Sequence, residues 1–197
     1  MKYGFYRLMQ AVLGTWYRLF LPARVDGLEN IPPEGGFILC SNHLSARDPL
    51  YLAGCCRKRF FRFMAKAELF RFRPLGAVLR ALGAFPVDRG HSDLNSVRNA
   101  LNLIREGHGL GLFPQGTRSR DNSRTPMLSG TAMIALRANC PVIPAYIGGP
   151  YRLFKKTQVS FGPPVDLSDF GRRADKETLD RATRRIEDAV WALKKQR

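Results

Sequence analysis

Six short apolar runs are spread along the chain: FILCS (37–41), FFRFMA (60–65), AFPVD (84–88), LGLF (110–113), PVIPAYI (141–147) and TQVSFG (157–162). Each has the length of a β-strand and is too short to be a core helix. Between several of them the spacing turns helical. Leu94, Val97, Leu101 and Ile104 make one apolar stripe that stops at Gly107, and a second helix is predicted from about Ser129 to Asn139. Asp48-Pro49 reads as a helix start, with Asp48 able to cap and Pro49 at the first helical position. Such alternation predicts an α/β fold, with a mixed, mostly parallel sheet covered by helices. A chain of 197 residues, 45% of them hydrophobic, suits a single domain with a proper core. No repeat, low-complexity stretch or flexible linker divides it.

The charge narrows the partners. Lys and Arg number 32 against 16 Asp and Glu, a net +16, so the chain should seek polyanions: nucleic acid, an anionic membrane, or phosphorylated and acidic substrates. Residues 1–25 form a basic, aromatic helical segment. Its charges are Lys2, Arg7, Arg18 and Arg24, with no acid, and Tyr3, Phe5, Tyr6, Trp16, Tyr17 and Phe20 are interspersed. Such a helix either lies amphipathically at a lipid headgroup boundary or packs on the core. Residues 26–170 read as the α/β core, and 171–197 as a docked C-terminal helix with Leu179, Ala182, Ile186, Val190 and Leu193 on one face. No apolar run reaches the roughly 18 residues of a spanning helix, and Arg18 and the LPARVDG stretch do not suit a secretory signal. Cys40, Cys55, Cys56 and Cys140 lack metal-ligand spacing, which fits reduced thiols in a cytosolic setting and no metal site.

In NHLSARDP (42–49), His43 leaves a buried strand and Asp48 follows five positions later at a helix start. A carboxylate on one imidazole nitrogen fixes the tautomer and raises the basicity of the other, as a general base for a hydroxyl requires. The alternative for Asp48 is helix capping alone. His91 and His108 lie in Gly-adjacent connections, and neither follows a strand into a loop with a carboxylate placed to orient it. LFPQGTRSRDNSR (112–124) is a strand opening into a loop with Arg118, Arg120 and Arg124. Backbone N–H groups and guanidinium forks there suit a phosphate or carboxylate, the alternative being a solvated basic loop. ALGAFPVDRG (81–90) delivers Arg89 at another strand end, and strand ends of such sheets converge on one edge. The sequence has no GxSxG elbow, P-loop, dinucleotide fingerprint or HExxH pair.

Taken in order, NHLSARDP, GAFPVDR, FPQGTRS and VIPAYI resemble the four blocks of the glycerolipid acyltransferases, specifically the 1-acylglycerol-3-phosphate acyltransferases, over about Gly27 to Phe161. FMAKAELFRFRPLGAVLRALGAF resembles the family's connecting region. The resemblance implies that His43 takes the proton of an acceptor hydroxyl as it attacks an acyl thioester, that Asp48 orients His43, and that no covalent acyl-enzyme forms. It maps phosphate binding onto Lys66 and Arg118, with Arg89, Gln115, Gly116 and Thr117 beside them. It implies an acyl-CoA or acyl-acyl-carrier-protein donor, a lysophospholipid acceptor and phosphatidic acid as product. It further implies a peripheral or monotopic position on the cytoplasmic face of the cell membrane, with no cofactor, metal or nucleic acid. Two positions depart from the family. Gln115 stands where Glu is usual, with its hydrogen bonding expected to position Arg118 or its loop. Ser129 stands where a basic residue often precedes the glycine. These departures motivate an alternative acceptor, a different lysolipid or an acylated amino acid. A nucleic-acid-binding module, suggested by RKRFFRFMAKAELFRFR (57–73), is the remote alternative, since strand and helix patterning accounts for most of its aromatics.

Overall fold

The computed structural model describes residues 3–56, 59–87, 94–119, 121–171 and 175–195. A seven-stranded sheet forms the centre, built from β1 (Ala23–Asp26), β2 (Phe37–Ser41), β3 (Phe61–Lys66), β4 (Phe85–Val87), β5 (Gly109–Leu112), β6 (Val142–Ile147) and β7 (Thr157–Phe161). Their order is β1-β7-β6-β2-β5-β3-β4. All neighbours are parallel except β6 and β7, so β1 and β7 run against the other five. The helices are α1 (Tyr3–Phe20), α2 (Asp48–Cys55), α3 (Arg73–Ala81), α4 (Leu94–Arg105), α5 (Gly130–Ala138) and α6 (Lys176–Ala192).

Side chains alternate across the sheet with period two, and this splits the core into two layers. Phe37, Leu39, Phe61, Phe63, Ile143, Ala145 and Val159 point to one face, where Tyr17 and Leu21 at the end of α1 and Tyr51 and Leu52 of α2 cover them. Ile38, Cys40, Leu110, Leu112 and Val142 point to the other, beneath α4, α5 and α6. Central β2 and β6 are buried on both faces, which is why their sequences are continuous apolar runs. Strand β5 is GLGL because Phe37 and Phe63 of its two neighbours lean across it. A Cβ at Gly109 would lie 2.8 Å from the Phe37 ring, and one at Gly111 would overlap that of Phe63.

Several local expectations are revised. Strand β1 escapes the sequence reading because only Ala23 and Val25 in it are apolar; its place comes from parallel pairing with β7. In α4, Leu94 is exposed, and the buried stripe is Ala100 and Ile104, flanked by Val97 and Leu101. Asp48 begins α2 but does not cap it. Its carboxylate turns back instead onto the N–H groups of Leu44 and Ser45, 2.6 and 2.9 Å away.

Candidate active site

Five parallel strands end on one edge of the sheet, and their carboxyl ends carry the chemistry-bearing residues. His43 follows β2, Phe113 to Gln115 follow β5, and Lys66 closes β3. His108 precedes β5 and so belongs to the opposite edge. Arg89, His91 and Arg120 lie outside the described residues.

His43 Nδ1 is 2.7 Å from Asp48 Oδ2. Asp48 is fully buried, and the same Oδ2 accepts two backbone N–H groups, so the contact is best made with Nδ1 donating, which leaves Nε2 as the nitrogen turned to the proton of a substrate. The carboxylate is held by more than the imidazole. Oδ2 also takes the Leu44 and Ser45 N–H groups, and Oδ1 takes the Tyr151 hydroxyl at 2.6 Å. Burial, followed by the neighbouring Asp48 charge, pushes the Tyr151 hydroxyl far above the ordinary phenol range, so it stays protonated and donates. The imidazole stacks on Phe113 with centroids 4.3 Å apart, and Phe113 stacks in turn on Phe63.

The backbone of the loop after β2 is braced at three points. Gln115 Oε1 accepts from His43 N at 2.8 Å, Ser119 N donates to His43 O at 2.9 Å, and the Asn42 amide pairs in both directions with Ile147 of β6. Gln115 thus ties the loop that carries Arg118 to the histidine's own backbone. Its Nε2 is buried with no partner among the described residues. Of the cations, Lys66 is ion-paired with Glu68 at 2.9 Å on the surface. Arg118 and Thr117 are exposed in the loop after β5, beside Gly116, whose φ of 70° is natural for glycine. Arg124 does not join an anion site. Its guanidinium reaches Glu187 and Asp188 of α6, so it ties the loop to the C-terminal helix.

A family model described as Acyltransferase matches residues 22–148. The chain belongs to the acyltransferase family. The 1-acyl-sn-glycerol-3-phosphate acyltransferase of Bacillus subtilis (strain 168) is 31% identical over 175 residues, covering 86% of this chain and 87% of that protein. The enzyme of the same description from Streptococcus pneumoniae (strain ATCC BAA-255 / R6) is 30% identical over 178 residues, covering 87% and 66%. Among solved structures, the 1-acyl-sn-glycerophosphate (LPA) acyltransferase PlsC from Thermotoga maritima matches with a TM-score of 0.70 and 25% identity, over 95% of this chain and 76% of that one. This chain is an acyltransferase with the mixed, mostly parallel sheet of that structure.

Within this acyltransferase, a cavity of about 130 Å³ lies between α1, α2, β3 and α3, lined by Tyr6, Leu50, Phe63, Met64, Leu79 and Leu82 among others. Phe63 thus forms part of the cavity wall and also supports the Phe113 ring beneath the imidazole. Tyr151 and Phe113 are site residues that the sequence reading misses. Tyr151 sits 103 positions from Asp48, and no local spacing announces the contact. Tyr151→Phe is expected to lower kcat of acyl transfer about tenfold with KM nearly unchanged, and to cost about 1.5–3 kcal/mol of stability for one lost hydrogen bond to a charged acceptor. Steady-state kinetics and urea unfolding check both.

Proposed function

We propose that this acyltransferase moves a fatty acyl group from an acyl-CoA or acyl-acyl-carrier-protein thioester to the sn-2 hydroxyl of 1-acylglycerol-3-phosphate, yielding phosphatidic acid. The observation that carries the reading is the buried His43–Asp48 pair on the carboxyl edge of the sheet, in a chain whose relatives bear that activity in their names. In this mechanism His43 Nε2 removes the hydroxyl proton as the oxygen attacks the thioester carbonyl, and Asp48 stabilises the imidazolium that results. The C–O bond forms, and a tetrahedral oxyanion collapses with cleavage of the C–S bond. The departing thiolate takes the proton back from His43, so base and acid are the same group. No enzyme thiol need be acylated. Burial drives Cys40 far above the ordinary thiol range and Cys55 up to about 12, which leaves both as poor nucleophiles.

The unpartnered Gln115 amide supplies a buried donor beside the histidine, a group that a developing oxyanion or a phosphate oxygen would satisfy. Lys66, Arg89 and Arg118 are assigned to the acceptor phosphate, and the apolar cavity to an acyl chain. Arg118→Ala is expected to raise KM for the phosphorylated acceptor about tenfold with a smaller change in kcat.

Membrane association belongs to the same reading. No helix among the described residues is long and apolar enough to cross a membrane. Yet Phe5, Leu8, Val12, Trp16 and Leu19 of α1 all face outward along one stripe, while Tyr6 and Tyr17 are buried. A helix with an apolar stripe on both sides, flanked by cations and lacking acids, suits peripheral binding at an anionic leaflet, here assigned to the cytoplasmic face. Mass spectrometry of products from the purified protein, offered both thioester carriers and a panel of lysolipids, tests the assignment. Phosphatidic acid is the expected product. Product only from another lysolipid or an acylated amino acid would favour the alternative that Gln115 and Ser129 motivate, and no acylated product with any acceptor would overturn the reading.

A further inference from the structure

We propose that the β6–β7 loop, residues 152–156, forms with the end of α1 a second lipid-facing patch that inserts Leu153 and Phe154 into the headgroup boundary of an anionic bilayer. The inference rests on the membrane reading above and goes beyond it, since α1 is the only element assigned there.

The loop reads Arg152-Leu-Phe-Lys-Lys156, an apolar pair between cations. The structure fastens it to α1. Phe154 N donates to Phe20 O at 2.8 Å, Thr157 N donates to Pro22 O at 2.9 Å, and the Phe154 and Phe20 rings lie 6.0 Å apart. Trp16 continues the row, 5.5 Å from Phe20. None of these rings is buried, and Phe154 is the most open of them at 66% exposed; Leu153 is 59% and Leu19 62% exposed. Phe154 also has a φ of 58°, the left-handed region in which a bulky residue is strained and Gly or Asn is at ease. The fold thus holds a large apolar ring outward, in a backbone state that disfavours it, where packing inside the molecule gains little beyond one edge of Phe20.

Charge identifies the occupant. Arg18, Arg152, Lys155 and Lys156 surround the patch on exposed positions, and no acidic residue occurs in 12–25 or 148–160. Apolar side chains interleaved with cations complement acyl chains beneath anionic headgroups. The position has a further consequence. Tyr151, adjacent to this loop, donates to Asp48, so insertion of the tip would bring the bilayer surface within a few residues of the histidine pair.

The test is sedimentation of the full chain with phosphatidylcholine vesicles, with and without phosphatidylglycerol. Leu153→Ser/Phe154→Asn removes the apolar tip while Asn accepts the left-handed backbone. It is expected to weaken binding to the anionic vesicles about tenfold or more, with Tm and turnover of a micellar substrate retained. Phe154→Trp supplies a readout that does not depend on a loss: its fluorescence is expected to be quenched by brominated acyl chains beyond the quenching of the wild-type protein. Unaltered binding of the double variant, where Trp16→Ser/Leu19→Ser in α1 abolishes it, would overturn the loop proposal and leave the membrane reading standing. Failure of the wild-type protein to bind anionic vesicles would overturn both. A dimer dissolved by the loop substitutions, with vesicle binding unchanged, would assign the patch to a second copy of the chain and overturn the proposal as well.

Discussion

His43→Ala is expected to lower kcat of acyl transfer by on the order of 10³-fold, while vesicle binding and the folded state persist. The magnitude follows from what is removed. Attack by a neutral alcohol on a thioester needs its proton taken as the bond forms, and a positioned base contributes about 10²- to 10⁴-fold. Among the described residues no second histidine stands in the same place: His108 lies at the amino edge of the sheet. Folding should tolerate the change because the loop backbone is held independently, by Gln115 and Ser119 on the His43 main chain and by Asn42 on Ile147. The stacking contact with Phe113 is lost, a cost of about 1 kcal/mol. Single-turnover transfer, circular dichroism and vesicle sedimentation together check the prediction; retained turnover would remove His43 from the mechanism.

Asp48→Asn is expected to reduce kcat by about 10²-fold or more, and Asp48→Ala to add a stability loss of about 3–5 kcal/mol. Asp48 is 0% exposed and accepts from four donors: His43 Nδ1, the N–H groups of Leu44 and Ser45, and the Tyr151 hydroxyl. Asparagine keeps one accepting oxygen for the first three, loses the charge that stabilises an imidazolium, and turns an N–H toward Tyr151, which must then reverse its own hydroxyl. Alanine leaves all four donors without this acceptor in a largely buried site. Because His43 and Asp48 act as a unit, Asp48→Asn added to His43→Ala should cost transfer little more. Urea unfolding and a kinetic double-mutant cycle read the two effects separately.

What could be read in advance was local. Buried strands announce themselves as apolar runs, so β2, β5 and β6 were legible, and so was the His43–Asp48 spacing, because both ends of that contact lie within one turn-and-helix unit. Even the reversal of β7 had a signal: residues 148–156 contain no helix, and so short a link cannot carry a parallel crossover. The pairing of Lys66 with Glu68 was likewise within reach. Edge strand β1 was not, since it lacks a pattern of its own, and neither was the duty of Arg124, whose partners Glu187 and Asp188 lie more than sixty residues away.

The sequence by itself determined the α/β class, the family and the identity of the histidine and its carboxylate, because periodicity and short-range motifs are properties of neighbouring residues. Tertiary structure alone decided that Tyr151 completes the carboxylate's hydrogen bonds, that Gln115 holds the histidine's backbone, and that Phe154 meets the end of α1. Those contacts depend on strand order and direction. A sheet brings together whatever its strands deliver to one edge, at any separation along the chain, and the net energy of choosing one order over another is spread across the whole core, with no single residue to mark it.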